Sequence, residues 1–319
     1  MLQYLIILLD DTSTSYCHYT NNKCERRLIS LDNLRAGILF GMKENLMIQF
    51  VYPDYDLPQE YKDAIETIDH SNIKPNAKGA DVIVLNGIES LAQGLQEECN
   101  YVLRISKTEA FVHSEEIKNA FGQVRRLNIV LSDVETFTDA DFKKYEETLL
   151  LWAQELERLF AAGLSPQCNL LTDRMQLEEM NNCGAGDTNI TLAPDGRFYL
   201  CPAFYLEEDE ANYGLGLSKV SIGSLEKGLD IKNPQLLKLS HAPLCRNCDA
   251  YQCKRCVWLN RKTTFEVNTP SHEQCVTAHL ERNAARELLL AVRRHGQFLT
   301  GKEIKEIDYL DPFDVRKEW

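Results

Sequence analysis

The sequence lacks an excess of basic residues. It contains 35 lysines and arginines against 48 aspartates and glutamates, so its formal net charge is -13 at pH 7. Proteins that bind nucleic acid usually present a basic surface to the phosphate backbone. The charge balance therefore argues against nucleic acid as a partner.

The sequence also lacks a long hydrophobic run. Its first apolar stretch, "YLIILL", ends at Asp10 and Asp11 and has no basic residues before it, unlike a targeting segment. It is far shorter than the roughly 18 residues that span a bilayer. We interpret residues 4–9 as a buried strand, and we expect a cytoplasmic protein with no membrane span.

Cysteine, by contrast, is abundant, with 11 residues among 319. In a reducing compartment, thiols serve metals or redox chemistry more often than structural disulfides. We interpret Cys24 and Cys99 as small hydrophobic residues. Most of the others crowd into the second half of the chain: Cys168, Cys183, Cys201, Cys245, Cys248, Cys253, Cys256 and Cys275.

The first half alternates short apolar runs with helical patterns, as in "LMIQFVY" followed by "PQEYKDAIETID". This alternation predicts an α/β fold with parallel strands and crossover helices, arranged as a complete or partial barrel. A long helix that is capped at Thr138 and ends at Gly163 closes this domain. We expect three parts: a barrel domain over 1–165, a cysteine-rich domain over 166–300 and a tail over 301–319.

A hairpin opens the cysteine-rich part, in "CGAGDTNITLAPDGRFYLCP" (183–202). Its Pro-Asp-Gly segment predicts a turn, since proline presets φ and glycine accepts positive φ. The flanking runs can then pair as antiparallel strands. The hairpin brings Cys183 and Cys201 towards the same end.

Downstream, "LCRNCDAYQCKRCVW" contains two CxxC pairs, whose thiolates can face one centre. In "PSHEQC", Ser271 and Gln274 predict a capped helix start, with the helix covering about 273–294. Cys275 falls in its first turn, where the helix dipole stabilises negative charge. These spacings predict a metal site but do not separate zinc from iron-sulfur. Its ligands are Cys183, Cys201, Cys245, Cys248, Cys253, Cys256 and Cys275.

The order of these cysteines resembles the SPASM domain of peptide-modifying radical SAM enzymes, whose pattern is C-x9-15-G-x4-C, gap, C-x2-C-x5-C-x3-C, gap, C. Two inner spacings are one residue shorter here. The resemblance implies two auxiliary [4Fe-4S] clusters. The first would use Cys183, Cys201 and Cys256, with Cys168 or a peptide thiol as a possible fourth ligand. The second would use Cys245, Cys248, Cys253 and Cys275.

The first half is similar to a degenerate radical SAM barrel, that is, a partial TIM barrel without its cluster motif. That family needs C-x3-C-x2-C after the first strand, but "DDTSTSYCHYTNNKC" provides only Cys17 and Cys24. A bound S-adenosylmethionine is therefore not expected. The implied architecture is this partial barrel followed by a small cysteine-rich α+β SPASM-like domain.

Taken whole, the chain resembles the CXXX repeat peptide maturases, which accompany a short cysteine-repeat peptide and a radical SAM protein. The resemblance implies an iron-sulfur protein that matures a ribosomally synthesised, cysteine-rich precursor peptide, with a possible radical SAM enzyme as partner. Two alternatives stay open: an atypical active radical SAM enzyme, and a zinc-stabilised peptide-binding scaffold. Catalytic residues are unknown. His272, Glu273 and His279 are acid/base candidates by residue type, but His272 is more simply part of a helix start, and we favour a surface or loop role for His18. Whether the chain is itself an enzyme stays open.

Overall fold

The computed structural model describes residues 2–23, 25–75, 79–207 and 220–302. They form a mixed α/β fold with a large parallel sheet. Cys24 and nearly all of the predicted tail lie outside the described residues. In the described ranges, no helix is both long enough and apolar enough to cross a bilayer.

The described part of the chain contains eleven strands and nine α-helices, besides short 3-10 helices. The strands are β1 (Tyr4–Leu8), β2 (Met47–Val51), β3 (His70–Pro75), β4 (Val82–Asn86), β5 (Asn100–Ile105), β6 (Arg126–Leu131), β7 (Gln167–Cys168), β8 (Asn189–Leu192), β9 (Arg197–Tyr199), β10 (Gly223–Ser224) and β11 (Gly228–Leu229). The helices are α1 (Leu31–Lys43), α2 (Gln59–Ile65), α3 (Lys107–Val112), α4 (Ser114–Ala120), α5 (Asp139–Ala161), α6 (Thr172–Gln176), α7 (Pro202–Leu206), α8 (Val257–Thr264) and α9 (His272–Arg293).

The chain folds into two compact units, each made of two sequence segments. The first contains Met1–Val84 and Gly184–Lys238, and the second contains Leu85–Cys183 and Leu239–Trp319. The domain boundaries near residues 165 and 300 stay a prediction.

In the first unit, β1 lies between β2 and β8 and is parallel to both. Its residues Leu5, Ile6, Ile7 and Leu8 are buried, as expected for a parallel strand covered on both faces. The prediction of a buried strand at the start of the sequence is confirmed. Because β1 is central, the residues that follow its carboxyl end lie where α/β proteins commonly place binding groups.

The predicted hairpin is also present in the first unit. β8 pairs antiparallel with β9, and the Gly196 amide donates to the Ala193 carbonyl oxygen at 3.0 Å. Gly196 has a φ of +78°, a value that glycine adopts without steric cost. The Asp195 carboxylate accepts a hydrogen bond from the Arg197 amide. The Pro-Asp-Gly turn therefore forms as its residue types predict.

The second unit contains the parallel strands β5, β6 and β7 and two long helices, α5 and α9. Thr138 and Asp141 form a reciprocal capping box at the start of α5, and Ser271 caps α9. Both predicted helices are confirmed. The apolar stripe of α5, which includes Leu149 and Trp152, is fully buried.

We predict that Gly196→Ala destabilises the first unit. The substitution places a Cβ in left-handed backbone, which costs about 1–2 kcal/mol, and this Cβ would lie 2.9 Å from Asn33 Nδ2. Chemical denaturation measures the loss in unfolding free energy. Gly163→Ala is the matched control, because Gly163 has a φ of +85° and open space around its Cβ position. A loss in the control that equals or exceeds that of Gly196→Ala would contradict the contact with Asn33.

Candidate functional site

Four of the seven motif cysteines line one cavity in the second unit, which we call the four-cysteine cavity. They are Cys245, Cys248, Cys253 and Cys275. The cavity has a volume of about 20 Å³, room for about one water molecule. The other lining residues are Met180, Leu244, Ala250, Arg255, Pro270, Gln274, Ala278 and His279. The wall is therefore mostly sulfur and hydrocarbon.

Local backbone turns place three of these thiols. The amides of Cys245, Cys248 and Cys253 each donate to the carbonyl oxygen three residues earlier, at 2.9 to 3.0 Å. The Cys245-x2-Cys248 spacing thus becomes one tight turn. Cys275 comes from elsewhere in the sequence, because it occupies the first turn of α9 and its amide donates to the Ser271 carbonyl oxygen.

Backbone amides point at two of the sulfurs. The Ala250 amide lies 3.4 Å from Cys248 Sγ, and the Arg255 amide lies 3.4 Å from Cys253 Sγ. Arg255 has a φ of +46°, which is uncommon for a residue with a side chain. Such conformations often occur at functional sites.

Burial raises the pKa of two thiols in the cavity wall, Cys245 and Cys253. It raises the pKa of Cys245 to about 11, although the nearby Arg255 guanidinium opposes the shift. It also raises the pKa of Cys253 well above its usual range. Without a metal, both groups are therefore neutral at pH 7. Binding of a metal would replace these protons, since thiolate is the ligand form.

The four thiols are of a type that binds metals through sulfur, but the size of the cavity sets one geometric condition. In the described ranges, no group of three or more His, Cys, Asp or Glu side chains is close enough together to hold one ion. The four thiols instead surround a space. Sets of four cysteine ligands hold both iron-sulfur clusters and structural zinc. To accommodate a cluster, the walls of the small cavity would have to move apart.

The remaining motif cysteines occupy other local positions. Cys183 and Cys256 belong to the second unit; the Cys183 amide donates to the Lys254 carbonyl oxygen, and Cys256 is the N-cap of α8. Cys201 belongs to the first unit and is the N-cap of α7. Their assignment to one shared cluster stays a prediction.

Cys168, the possible extra ligand, lies in β7 and is fully buried. Its amide donates to Thr172 Oγ1 at 2.7 Å, and burial raises the pKa of its thiol to about 12. It does not line the four-cysteine cavity. These surroundings are typical of a core thiol, so the ligand role of Cys168 also stays a prediction.

A buried polar network follows β1 in the first unit. The Asp10 carboxylate accepts hydrogen bonds from the Thr12 amide and from the Tyr55 hydroxyl, at 2.9 and 2.8 Å. The Asp11 carboxylate accepts a hydrogen bond from the Tyr205 hydroxyl. Burial raises the pKa of Asp11. Both carboxylates are thus held by hydrogen bonds within this unit.

The same loop continues with Ser15, Cys17 and His18. His18 Nδ1 lies 3.1 Å from Ser15 Oγ, which lies 3.7 Å from Cys17 Sγ. Ser15 and His18 are almost completely buried. The Tyr19 amide donates to Glu207 Oε1 at 2.6 Å. Within the described part of this loop, polar side chains pack where the radical SAM pattern would require further cysteines.

A second buried network lies between α5 and α9. The Tyr145 hydroxyl donates to Glu281 Oε1 at 2.7 Å, and Gln252 Nε2 donates to Glu281 Oε2 at 3.3 Å. Burial raises the pKa of Glu281 to about 7, although both hydrogen bonds oppose the shift. Gln252 is adjacent to Cys253, so this network supports the cysteine loop.

Sequence reasoning missed two residues of the cavity wall, Arg255 and His279, as parts of the site. His279 follows Cys275 by four residues in a helix, a spacing that places two side chains on one face. That spacing could have indicated that His279 lies beside Cys275 at the site. Arg255 stands between ligand cysteines in "CKRC", but nothing in its sequence neighbourhood predicts that its side chain is fully buried.

Among the comparisons with known proteins, only the comparison with solved structures gives matches. No protein-family model and no curated protein matches the chain. Native anSMEcpe with bound AdoMet and Cp18Cys peptide is similar, with a TM-score of 0.64 and 14% identity over 92% of this chain and 100% of that chain. Histidine-tagged anSMEcpe with bound AdoMet gives a TM-score of 0.62 and 13% identity, over 92% of this chain and 99% of that chain. At these identities the likeness shows that this chain shares its fold with anSMEcpe.

We predict that Glu281→Gln removes a pH dependence of stability. The native state keeps the Glu281 proton up to about pH 7, whereas the unfolded chain releases it near 4.5. The stabilisation is thus complete below pH 4.5 and is lost as the pH rises through 7, by on the order of 3 kcal/mol. In denaturant unfolding from pH 5 to 8, the unfolding free energy of the variant should rise relative to that of the wild type as the pH increases.

Glu155→Gln is the control for this series. Arg158 holds the pKa of Glu155 below its ordinary value, so Glu155 is charged in both states above pH 5. Its difference from the wild type should be constant over the same range. A constant difference for Glu281→Gln as well would show that burial does not raise the pKa of Glu281.

Proposed function

We propose that this protein is an iron-sulfur protein that binds a cysteine-rich precursor peptide and assists its maturation, with a partner radical SAM enzyme supplying the radical. The observation that carries the proposal is the convergence of Cys245, Cys248, Cys253 and Cys275 on one cavity. The fold shared with anSMEcpe supports it. In finer detail, we propose a CXXX repeat peptide maturase, with a degenerate partial barrel over 1–165 and a SPASM-like domain over 166–300.

We assign a cluster, and not a single zinc ion, to these four thiols because the order of the cysteines resembles the SPASM pattern. Four thiolates on one zinc ion would all lie about 2.3 Å from one point. The four thiolates of a [4Fe-4S] cluster bind four different iron atoms and therefore surround a larger group. The four thiols line one cavity of about 20 Å³, which would have to widen to hold a cluster. We assign a second auxiliary cluster to Cys183, Cys201 and Cys256, with Cys168 or a peptide thiol as its fourth ligand.

The chain's own residues would hold and shield the cluster. The amides of Ala250 and Arg255 donate to ligand sulfurs, and the apolar wall excludes water. Hydrogen bonds to sulfur and exclusion of solvent both set cluster potentials. When bound, such a cluster can bind a peptide thiolate or accept an electron.

The peptide partner is supported by the comparison with known structures. Native anSMEcpe has been solved with bound Cp18Cys peptide and with bound Kp18Cys peptide. The structure with Kp18Cys has a TM-score of 0.58 and 13% identity to this chain. We transfer peptide binding, but not the reaction, to this protein, and we propose that it acts in the cytoplasm.

The loop after β1 supports a division of labour with a partner enzyme. Its buried positions hold Ser13, Ser15 and His18, and Cys17 is the thiol that its described part contributes. We therefore assign the generation of the radical to the partner. The competing function is an atypical radical SAM enzyme, which the AdoMet bound to anSMEcpe favours.

We predict that the anaerobically purified protein contains iron and acid-labile sulfide, and that Cys245→Ser combined with Cys248→Ser removes one cluster's share of both. Serine oxygen is a poor replacement for thiolate in these sites. Iron and sulfide analysis with EPR spectra measures the loss. Cys99→Ser is the control, because Cys99 lies outside the motif and its thiol contacts Gln96. Stoichiometric zinc without sulfide would establish the zinc scaffold instead.

A second prediction concerns the radical itself. With dithionite and S-adenosylmethionine, the reconstituted protein alone should form no 5'-deoxyadenosine above the level of a no-protein control. The physical reason is that the described β1 loop offers Cys17 without the three-thiolate motif. Chromatography of the product measures this. Formation at catalytic rates, abolished by Cys17→Ser, would establish the atypical radical SAM enzyme.

A further inference from the structure

Besides the four thiols, the wall of the four-cysteine cavity contains a fifth group that could bind a metal, the imidazole of His279. It lies one helical turn after Cys275 on α9, and both side chains line the cavity. His279 Nε2 is 3.6 Å from Cys248 Sγ, within range of a hydrogen bond to sulfur. The Ala250 amide approaches the same sulfur at 3.4 Å. Cys248 can therefore accept hydrogen bonds from two directions.

Metal binding would fix the direction of the hydrogen bond between His279 and Cys248. A thiol can donate its proton to an imidazole nitrogen, but a metal-bound thiolate has no proton and can only accept. A bond that persists in the loaded protein therefore requires the hydrogen on Nε2 of His279. The ring nitrogen then acts as a donor and leaves the sulfur its bond to the metal.

The number of donors separates this role from that of a ligand. A [4Fe-4S] cluster takes four protein ligands, and the cavity already supplies four cysteines. The His279 imidazole is therefore not needed as a ligand of the cluster. A hydrogen bond to a ligand sulfur withdraws electron density from it and stabilises the reduced cluster, which carries more negative charge.

We propose that His279 is a positioning residue that donates a hydrogen bond to the Cys248 sulfur and raises the reduction potential of the group bound in the four-cysteine cavity. This inference rests on the cluster assigned under the proposed function. It adds to that assignment a residue that controls electron acceptance without binding the metal.

The test compares reduction potentials in the full-length, anaerobically purified protein. His279→Leu removes the donor, His279→Gln keeps an N–H group on a side chain of similar reach, and His272→Leu is the control. His272 lies on the same helix, packs against the Phe142 ring and does not line the cavity. The EPR signal that disappears in the Cys245→Ser, Cys248→Ser variant identifies the relevant cluster.

We expect His279→Leu to lower the equilibrium constant for one-electron reduction by up to about tenfold, which is ~59 mV. His279→Gln should recover most of the shift, and His272→Leu should show none. An unchanged potential in His279→Leu with full iron and sulfide would overturn the role of His279 and leave the cluster assignment intact. Loss of the cluster in both His279 variants, with helical content unchanged, would show that His279 is a ligand and would also overturn it. Absence of iron and sulfide from the wild type would overturn the proposed function itself.

Discussion

The burial of thiols around a small, mostly apolar cavity is the constraint on which the site depends. A buried charge without a partner is costly, so a thiol in such surroundings keeps its proton unless a cation replaces it. The raised pKa values of Cys245 and Cys253 express this condition. The cavity can therefore persist without metal as a neutral core. The same burial would protect a bound cluster from water.

The loop after β1 satisfies its buried polar groups in a different way. Asp10 and Asp11 are bonded to hydroxyls and amides of their own unit, as buried polar groups generally are. Such a network is already complete and does not require a metal to satisfy it. The two regions thus differ in chemistry. Burial keeps Cys245 and Cys253 protonated, whereas the carboxylates after β1 accept hydrogen bonds from their own unit.

The likeness to anSMEcpe shows that a fold can be shared at low sequence identity. Identities of 12–14% accompany TM-scores near 0.6. A fold of this kind can host different reactions, so function must be argued from the side chains of each site. In this protein the side chains that line the four-cysteine cavity include four motif cysteines, Arg255 and His279.

What the sequence determined by itself is local. The helix caps at Thr138 and Ser271 and the Pro-Asp-Gly turn involve neighbouring residues, so spacing and residue type predict them. Tertiary structure decided the rest. The polar segment "HSNIKP" has no sequence pattern that is typical of a strand. It forms β3 because it pairs with β2. The approach of His279 to Cys248 likewise depends on how α9 packs against the cysteine loop, a contact between distant segments that no local pattern encodes.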